Sequence, residues 1–118
     1  MPATTHTMVA FIKRKEGMSL EEFYKYWEEV HGPLVKPWAE KHGLTYKQIH
    51  TGSNTPTGVG SEFLSKYDGC AIFEFSDPNA ISVAFADPEF KRDVSPDQEF
   101  FMQEQVTIMA TGSTVTIV

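Results

Sequence analysis

Apolar residues recur at spacings of three and four in the first third of the chain, as on one face of an amphipathic helix. The positions are Leu20, Phe23, Tyr24, Trp27, Val30 and Leu34. Ser19 followed by Glu22 forms a capping box, which predicts where this helix begins. Gly32 and Pro33 are expected to break or bend it, and a second helical piece then runs through residues 38–43.

Four other segments have the composition of β-strands. They cover residues 6–14, 44–51, 70–75 and 106–118. The first and third are apolar at successive positions, which is typical of strands that are covered on both faces. In the last segment the apolar alternation changes phase at Gly112, and this predicts a β-bulge there.

Two further helices are expected after Asp77 and Asp87, because each aspartate is followed by a proline. The second of these helices carries Phe90 and Val94. The resulting order is β-α-β-β-α-β, which is the ferredoxin-like α+β arrangement. Neither a repeat nor a linker interrupts it, so the sequence predicts a single domain covering residues 1–118.

In this arrangement the helices cover one face of the sheet and leave the other face bare. That face cannot be wholly polar, because the first and third strands are apolar on both sides. A second copy of the same sheet is the simplest cover, and it predicts a homodimer with a self-complementary interface. Two sheets that curve around each other enclose a barrel-like cavity able to bind a small molecule.

Charge and cysteine content exclude several classes of protein. The net charge of -6 argues against a nucleic acid or an anionic membrane as partner. The one cysteine, Cys70, excludes an internal disulfide framework and a cysteine-based zinc site. The N-terminal residues show neither a signal peptide nor a membrane span, so the expected location is the cytoplasm.

Metal and nucleotide cofactors have little support in the sequence. His31 and His50 with one carboxylate could form a three-ligand metal site, but no paired motif such as H-E-x-x-H is present. A P-loop and a G-x-G-x-x-G fingerprint are also missing. We therefore expect no metal and no cofactor.

His31 is the strongest candidate for chemistry, at the end of the motif WEEVHGP (residues 27–33). It follows Trp27 by four residues, so both side chains are expected on the helix face that meets the sheet. An imidazole titrates near neutral pH and can take and return a proton. The alternative is a structural role, as a helix cap or in a hydrogen bond to a loop carbonyl.

Tyr46, Gln48 and His50 share one face of the second strand. They either point to solvent or line the cavity, where they would form a hydrogen-bonding row for phenolic or carbonyl oxygens. In the second case His50 is the partner of His31 in acid–base catalysis. Asp97 is expected to cap a helix, with the alternative that it helps a histidine to select its tautomer.

Aromatic side chains are numerous, and most of them must belong to the core. Those expected to contact a ligand are Trp27, Trp38, Phe11, Phe73, Phe85 and Phe90, together with Tyr46 and Gln48. As a set they favour a flat, apolar substrate held by stacking and edge contacts. The Gly-, Ser-, Thr- and Pro-rich residues 51–65 are expected to form a mobile flap over the cavity mouth.

The run FIKRKEGMSLEEFYKYWEEVHGPLV (residues 11–35) resembles the opening of an EthD-domain protein. The segments YKQIHT, YDG and DPEFKRDVSPDQEFF resemble the fungal branch of that family. The resemblance implies a dimeric α+β barrel. It also implies polyketide metabolism, where fungal relatives act without a cofactor as dehydratases, decarboxylases or cyclases on aromatic intermediates.

The sequence thus predicts a cofactor-independent lyase that performs acid–base chemistry on an aromatic polyketide intermediate. Dehydration, decarboxylation and cyclisation need the same groups, and the sequence does not separate them. One alternative is a cofactor-free monooxygenase of an anthrone-like compound. Another is a non-catalytic carrier or accessory subunit that binds the same small molecules.

Overall fold

A four-stranded antiparallel sheet organises the chain. The computed structural model describes residues 5–53 and 61–118. The strands are β1 (Thr5–Ile12), β2 (Thr45–Ile49), β3 (Gly69–Phe75) and β4 (Ile108–Thr114), in the order β2-β3-β1-β4. With helices between β1 and β2 and between β3 and β4, this confirms the predicted ferredoxin-like α+β fold.

The strand register decides which side chains meet the helices. Met8 pairs with Phe73 and Thr111, and the next pair along this face joins Ala10 to Ala71. These apolar residues are buried beneath the helices. The opposite face carries the intervening positions, including Val9, Phe11, Ile72 and Ile108. We call this second surface the open face.

The first helical unit contains a wide turn in its middle. It consists of α1 (Leu20–Tyr26), a first π turn (Trp27–His31) and α2 (Gly32–Lys41). The Ser19 hydroxyl accepts the Glu22 N–H at 3.1 Å, as the capping box predicted for the serine. The predicted break at Gly32 is wrong, because its φ of -51° and ψ of -52° are helical.

The second helical unit has a similar wide turn. The elements are α3 (Ser61–Leu64), α4 (Ala80–Ala86), a second π turn (Phe90–Val94), α5 (Ser95–Gln98) and a single 3-10 turn (Glu104–Val106). Helix α4 begins later than predicted, because Asp77 accepts the Asn79 N–H at 2.9 Å and thereby forms a local turn.

The predicted bulge at Gly112 is also wrong. Strand β4 pairs with β1 one-to-one from Ile108 to Thr114, straight through Gly112. The phase change in the sequence has another origin, since Val106 belongs to the 3-10 turn and residues 115–118 follow the strand. The segment predicted as one strand therefore consists of three pieces of structure.

The predicted flap of residues 51–65 is only partly described. Residues 54–60 lie outside the described part of the chain, and residues 61–64 form α3 rather than a loop. The Phe63 ring of this helix and the Tyr67 ring that follows it pack against Phe11 on the open face, with centroids 5.1 and 5.6 Å from it.

The hydrophobic core lies between the sheet and the helices. Its largest fully buried side chains are Trp27, Trp38, Phe23 and Phe101. A side chain at Gly69 would place its Cβ 2.7 Å from the Trp27 ring, so the glycine in β3 lets the indole approach the strand closely. Within residues 5–53 and 61–118, no helix is both long and apolar enough to cross a bilayer.

Candidate functional site

An apolar cavity of about 360 Å³ lies between the sheet and the two helical units. The sheet contributes Met8, Ala10, Ile12, Tyr46, Ala71, Phe73 and Met109 to its walls. The helical side contributes Trp27, His31, Val35, Trp38, Phe85, Phe90, Val94, Gln98, Phe101 and Met102. Glu104 and Thr107, from the segment before β4, complete the lining.

His31 is the histidine that lines this cavity. Its side chain is buried, with 4% of the residue exposed, and its ring lies 4.7 Å from that of Phe101. Its Nδ1 is 2.8 Å from Asp97 Oδ2. The other carboxylate oxygen of Asp97 accepts the Tyr26 O–H at 2.6 Å. Asp97 therefore lies within α5 and links two residues of the first helical unit, instead of capping a helix as first expected.

The two π turns bring His31 and Asp97 together from positions 66 residues apart. His31 ends the first π turn, and the second ends at Val94, just before the helix that carries Asp97. Each π turn is followed at the second position by a proline, Pro33 or Pro96. Proline lacks the N–H for an α-helical bond, and a widened turn accommodates that loss. Such turns are rare and often occur at functional sites.

Burial lowers the pKa of His31 below its ordinary value, while the hydrogen bond and charge of Asp97 act in the opposite direction. Because burial is the larger cause, the imidazole is neutral at physiological pH. A carboxylate only accepts hydrogen bonds, so Nδ1 carries the proton and Nε2 keeps its lone pair. No group among the described residues hydrogen-bonds Nε2. His31 is thus prepared to accept a proton.

Tyr46 lies in the sheet wall of the cavity, and its hydroxyl accepts a hydrogen bond from Gln48. Burial raises the pKa of Tyr46 to about 12, although hydrogen bonds from the Gln48 and Trp27 side chains oppose the change. The phenol therefore remains protonated at neutral pH. It is available as a hydrogen-bond donor to an oxygen on a bound molecule.

Three further polar side chains at the cavity were not anticipated from the sequence. Gln98, Glu104 and Thr107 lie near its edge, and burial together with Glu99 raises the pKa of Glu104. The Thr107 Oγ1 is buried and has no hydrogen-bond partner in the part of the chain that the structure describes. Gln98 ends α5, while Glu104 begins the 3-10 turn and Thr107 follows it, and no sequence pattern relates these three positions to a cavity.

Most of the predicted ligand contacts do meet at this cavity. Trp27, Trp38, Tyr46, Phe73, Phe85 and Phe90 line it together with His31. Phe11 does not, because its position in β1 places it on the open face, and for Phe11 the expectation is corrected. Gln48 lies behind Tyr46 and forms hydrogen bonds without lining the cavity. A role in binding for the residues that line the cavity stays a prediction.

His50 does not reach the same cavity as His31, contrary to expectation. It lines a separate, open pocket with Glu28, Gln48 and Ser53, which Tyr46 also borders. Its ring stacks between those of Tyr24 and Trp27, with centroid distances of 4.6 and 5.2 Å. Of these two rings only that of Trp27 also lines the cavity, and the strand alternation that groups His50 with Tyr46 does not reveal this stacking.

The remaining candidates for chemistry have ordinary surroundings. His42 lies 2.6 Å from Asp87, which also binds Lys41 at 2.7 Å, as in a structural contact between the two helical units. Burial raises the pKa of the Cys70 thiol and makes it a poor nucleophile. Among the described residues, no group of three His, Cys, Asp or Glu side chains is placed to hold a metal ion.

Comparison with known proteins agrees with this architecture. The profile of the EthD domain family matches residues 15–105. A dehydratase named ustZ, from the fungus Ustilaginoidea virens, is 31% identical over 106 residues, which cover 84% of this chain and 76% of the relative.

Solved structures with the same fold include an EthD family protein from Bacillus halodurans. Its TM-score is 0.62 at 16% identity, over 94% of this chain and 99% of that one. SnoaB, a cofactor-independent oxygenase from Streptomyces nogalater, gives a TM-score of 0.63 at 14% identity, over 97% and 96% of the two chains. A dimeric ferredoxin-like protein from Thermobifida fusca gives 0.54 at 8% identity, over 97% and 94%. These likenesses show the fold, and the profile match shows the family that the sequence had predicted: this chain belongs to the EthD domain family.

Proposed function

We propose that this protein is a cofactor-independent enzyme of the lyase type that dehydrates an aromatic, polyketide-like intermediate. One observation carries the proposal. His31 is a neutral, buried imidazole whose Nδ1 is bound to Asp97 and whose Nε2 is left for a ligand in an apolar cavity. The 31% identity to a protein named a dehydratase supports the choice of reaction.

The proposed reaction needs one base and one oxygen-binding group. Nε2 of His31 removes a proton from the carbon next to a substrate carbonyl, and the Tyr46 O–H stabilises the charge that develops on the carbonyl oxygen. The Asp97 carboxylate stabilises the imidazolium that forms. His31 then returns the proton to the hydroxyl group on the adjacent carbon, the C–O bond breaks, and water leaves as the double bond forms.

The surroundings of the cavity suit this chemistry. Its walls are mostly aromatic and aliphatic, so little water competes for the charges that develop. Electrostatic interactions are stronger in such a medium than in water. The rings of Trp38, Phe85 and Phe90 lie within 5.7 Å of one another and offer flat surfaces to an aromatic substrate.

We propose in addition that two copies of the chain assemble through their open faces. Val9, Phe11 and Ile72 share this face, and Ile108 on it is 55% exposed. Apolar surfaces of this kind on a soluble chain mark contact sites. Structural neighbours described as dimeric agree with this assembly.

The test of the enzymatic proposal is His31→Gln assayed with a β-hydroxytetralone, which becomes a naphthol when it loses water. Glutamine keeps hydrogen bonding but cannot transfer the proton, so turnover should fall on the order of 10²-fold or more while ligand affinity changes little. His6→Gln is the control, because His6 lies away from the cavity lining and should keep full turnover.

Mass analysis of the products separates the alternatives. Loss of water supports dehydration, and loss of carbon dioxide from a carboxylated analogue indicates decarboxylation. A gain of oxygen from an anthrone indicates the monooxygenase. Tight binding without any chemical change identifies a carrier, and full turnover by His31→Gln refutes the role of His31.

A further inference from the structure

We propose that Gln48 and His50 are positioning residues that direct the Tyr46 O–H into the cavity, so that the site selects substrates by a carbonyl oxygen next to β2. This inference deepens the proposed function and rests on it for the identity of the cavity as the substrate site. It gives His50 a task other than proton transfer to substrate.

The carbonyl oxygen of Trp27 determines how the Gln48 amide is oriented. It accepts the Gly32 N–H of the first π turn and also lies 2.9 Å from Gln48 Nε2. A carbonyl oxygen can only accept, so the atom of Gln48 beside it must be the NH₂ nitrogen. The amide therefore has one orientation.

With the amide fixed, Gln48 Oε1 faces His50. The distance from Oε1 to His50 Nε2 is 2.9 Å, and an amide oxygen can only accept. Nε2 of His50 therefore carries a proton. This holds for the Nε2–H tautomer of the neutral ring and for the imidazolium, so the contact survives a change in the charge of His50. Stacking between Tyr24 and Trp27 keeps the ring in place.

The second N–H of Gln48 is donated to the Tyr46 hydroxyl, also at 2.9 Å. The phenol oxygen thus accepts from β2 and must send its own proton elsewhere. Its ring is stacked on Phe73 at 4.9 Å, which fixes the side on which the hydroxyl lies. Among the described residues no acceptor for the Tyr46 O–H is found, and Tyr46 lines the cavity.

Every hydrogen bond in this row runs in one direction, from His50 through Gln48 to Tyr46, and in this proposal the last donor, the Tyr46 O–H, is directed to the ligand. A ketone or another acceptor oxygen can accept the hydrogen bond of the Tyr46 O–H. A hydrocarbon of the same shape leaves this donor unpaired. The substrate carbon that loses a proton then faces His31 on the helical wall. The row therefore fixes the direction in which the substrate binds.

The experiment compares two ligands of equal shape, acetylnaphthalene and ethylnaphthalene, which differ by one carbonyl oxygen. Dissociation constants are measured by quenching of tryptophan fluorescence. The native protein should bind the ketone about fivefold more tightly, the effect of one neutral hydrogen bond. Tyr46→Phe should abolish this preference and leave the affinity for ethylnaphthalene unchanged.

Gln48→Glu tests the direction of the row. A carboxylate cannot donate, so the Tyr46 O–H turns towards it and the ketone preference disappears. The double variant Tyr46→Phe/Gln48→Glu should show no further loss, because Gln48 acts only through Tyr46. His50→Phe keeps the stacked ring but removes the donor, and it should reduce the preference in part. Near-ultraviolet circular dichroism checks that each variant is folded.

A ketone preference that survives Gln48→Glu, or one that falls further in the double variant, overturns the inference. Failure of the native protein to bind either ligand overturns both this inference and the proposed function. His31→Gln separates the two ideas, because it should lose turnover and keep the ketone preference. If His31→Gln keeps its turnover and the ketone preference follows Tyr46, only the proposed function fails.

Discussion

Asp97 performs two tasks for His31 through one short hydrogen bond. It selects the tautomer with the proton on Nδ1, and it opposes the fall in the pKa of His31 that burial causes. The Tyr26 O–H holds the carboxylate from the other side. An amide in place of Asp97 keeps the size and loses both effects.

We expect Asp97→Asn to lower turnover on the order of 10²-fold, since the asparagine NH₂ group can hold the wrong imidazole tautomer. With neutral His31 as the proposed base, the rate of the native protein should be constant near neutral pH and fall with acid below pH 6.5. Without the carboxylate the pKa of His31 falls further, and this acid limb should move to lower pH. A pH–rate profile of the variant measures both effects.

Asp93→Asn is the matched control. Asp93 lies on the same helical unit, and its carboxylate pairs with Arg92 on the surface, outside the cavity. It should keep the native profile. An acid limb that stays in place or moves upward in Asp97→Asn would mean that Asp97 does not control His31.

At this scale the sequence correctly placed His31 on the buried face and left two roles open for Asp97. Four-residue spacing from Trp27 places His31 on the buried face whatever follows it. Asp97 fitted two roles, and capping needs only local sequence, whereas pairing with His31 depends on a contact across 66 residues. The prediction that His50 lines the same cavity is wrong for a related reason. Strand alternation tells on which face of the sheet a residue lies, but not which rings stack on that residue.

At the scale of elements, the first helical unit differs most from the prediction. Local rules treat Gly32 and Pro33 as a helix break, but the wide turn carries the chain past them in helical conformation. What stabilises that turn is partly distant in sequence, since Trp27 O accepts from Gln48 in β2 as well as from Gly32. A rule based on neighbouring residues cannot include that bond.

Two glycines of this unit should respond oppositely to alanine. Gly32 has helical angles, and a Cβ there would lie 3.5 Å from Trp27 O and 3.7 Å from Gln48 Nε2, both ordinary contacts. Gly32→Ala should therefore raise the free energy of unfolding by about 0.5–1 kcal/mol. Thermal denaturation measures this as an increase in Tm of about 2–5 °C.

Gly43→Ala provides the contrast at the other end of α2. Its φ is +69°, and no atom lies within 4 Å of an added Cβ, so only backbone strain changes. The free energy of unfolding should fall by about 1–2 kcal/mol. Equal effects of the two substitutions would show that backbone conformation is not the cause.

At the scale of the whole molecule, the order of the elements is predictable from the sequence. Which side of each strand faces the helices is not. Alternating apolar and turn-forming segments give β-α-β-β-α-β directly. In contrast, β1 has apolar residues on both sides, so its sequence alone does not say whether Phe11 or Ile12 faces the helices. Only the strand register shows that Phe11 lies on the open face.

The open face leads to a prediction about assembly. The native chain should sediment as a dimer at micromolar concentration, and Ile108→Glu should shift it to monomer, because a carboxylate would be buried there without a partner. Val83→Glu on α4 is equally exposed, at 57%, but lies on the helical side and should leave the dimer intact. A native monomer under these conditions contradicts the proposed homodimer.

The paired π turns have an evolutionary consequence. Each π turn holds one residue more than an α-helical turn requires. One extra residue rotates the side chains that follow it by about 100° around the helix axis. Two single-codon insertions, one in each helical unit, would therefore suffice to turn His31 and Asp97 towards each other on an existing sheet. A relative that lacks either extra residue should retain the sheet and the cavity but not this pair. Members of one family could thus gain or lose acid–base chemistry through changes of one codon, with their cores left almost untouched.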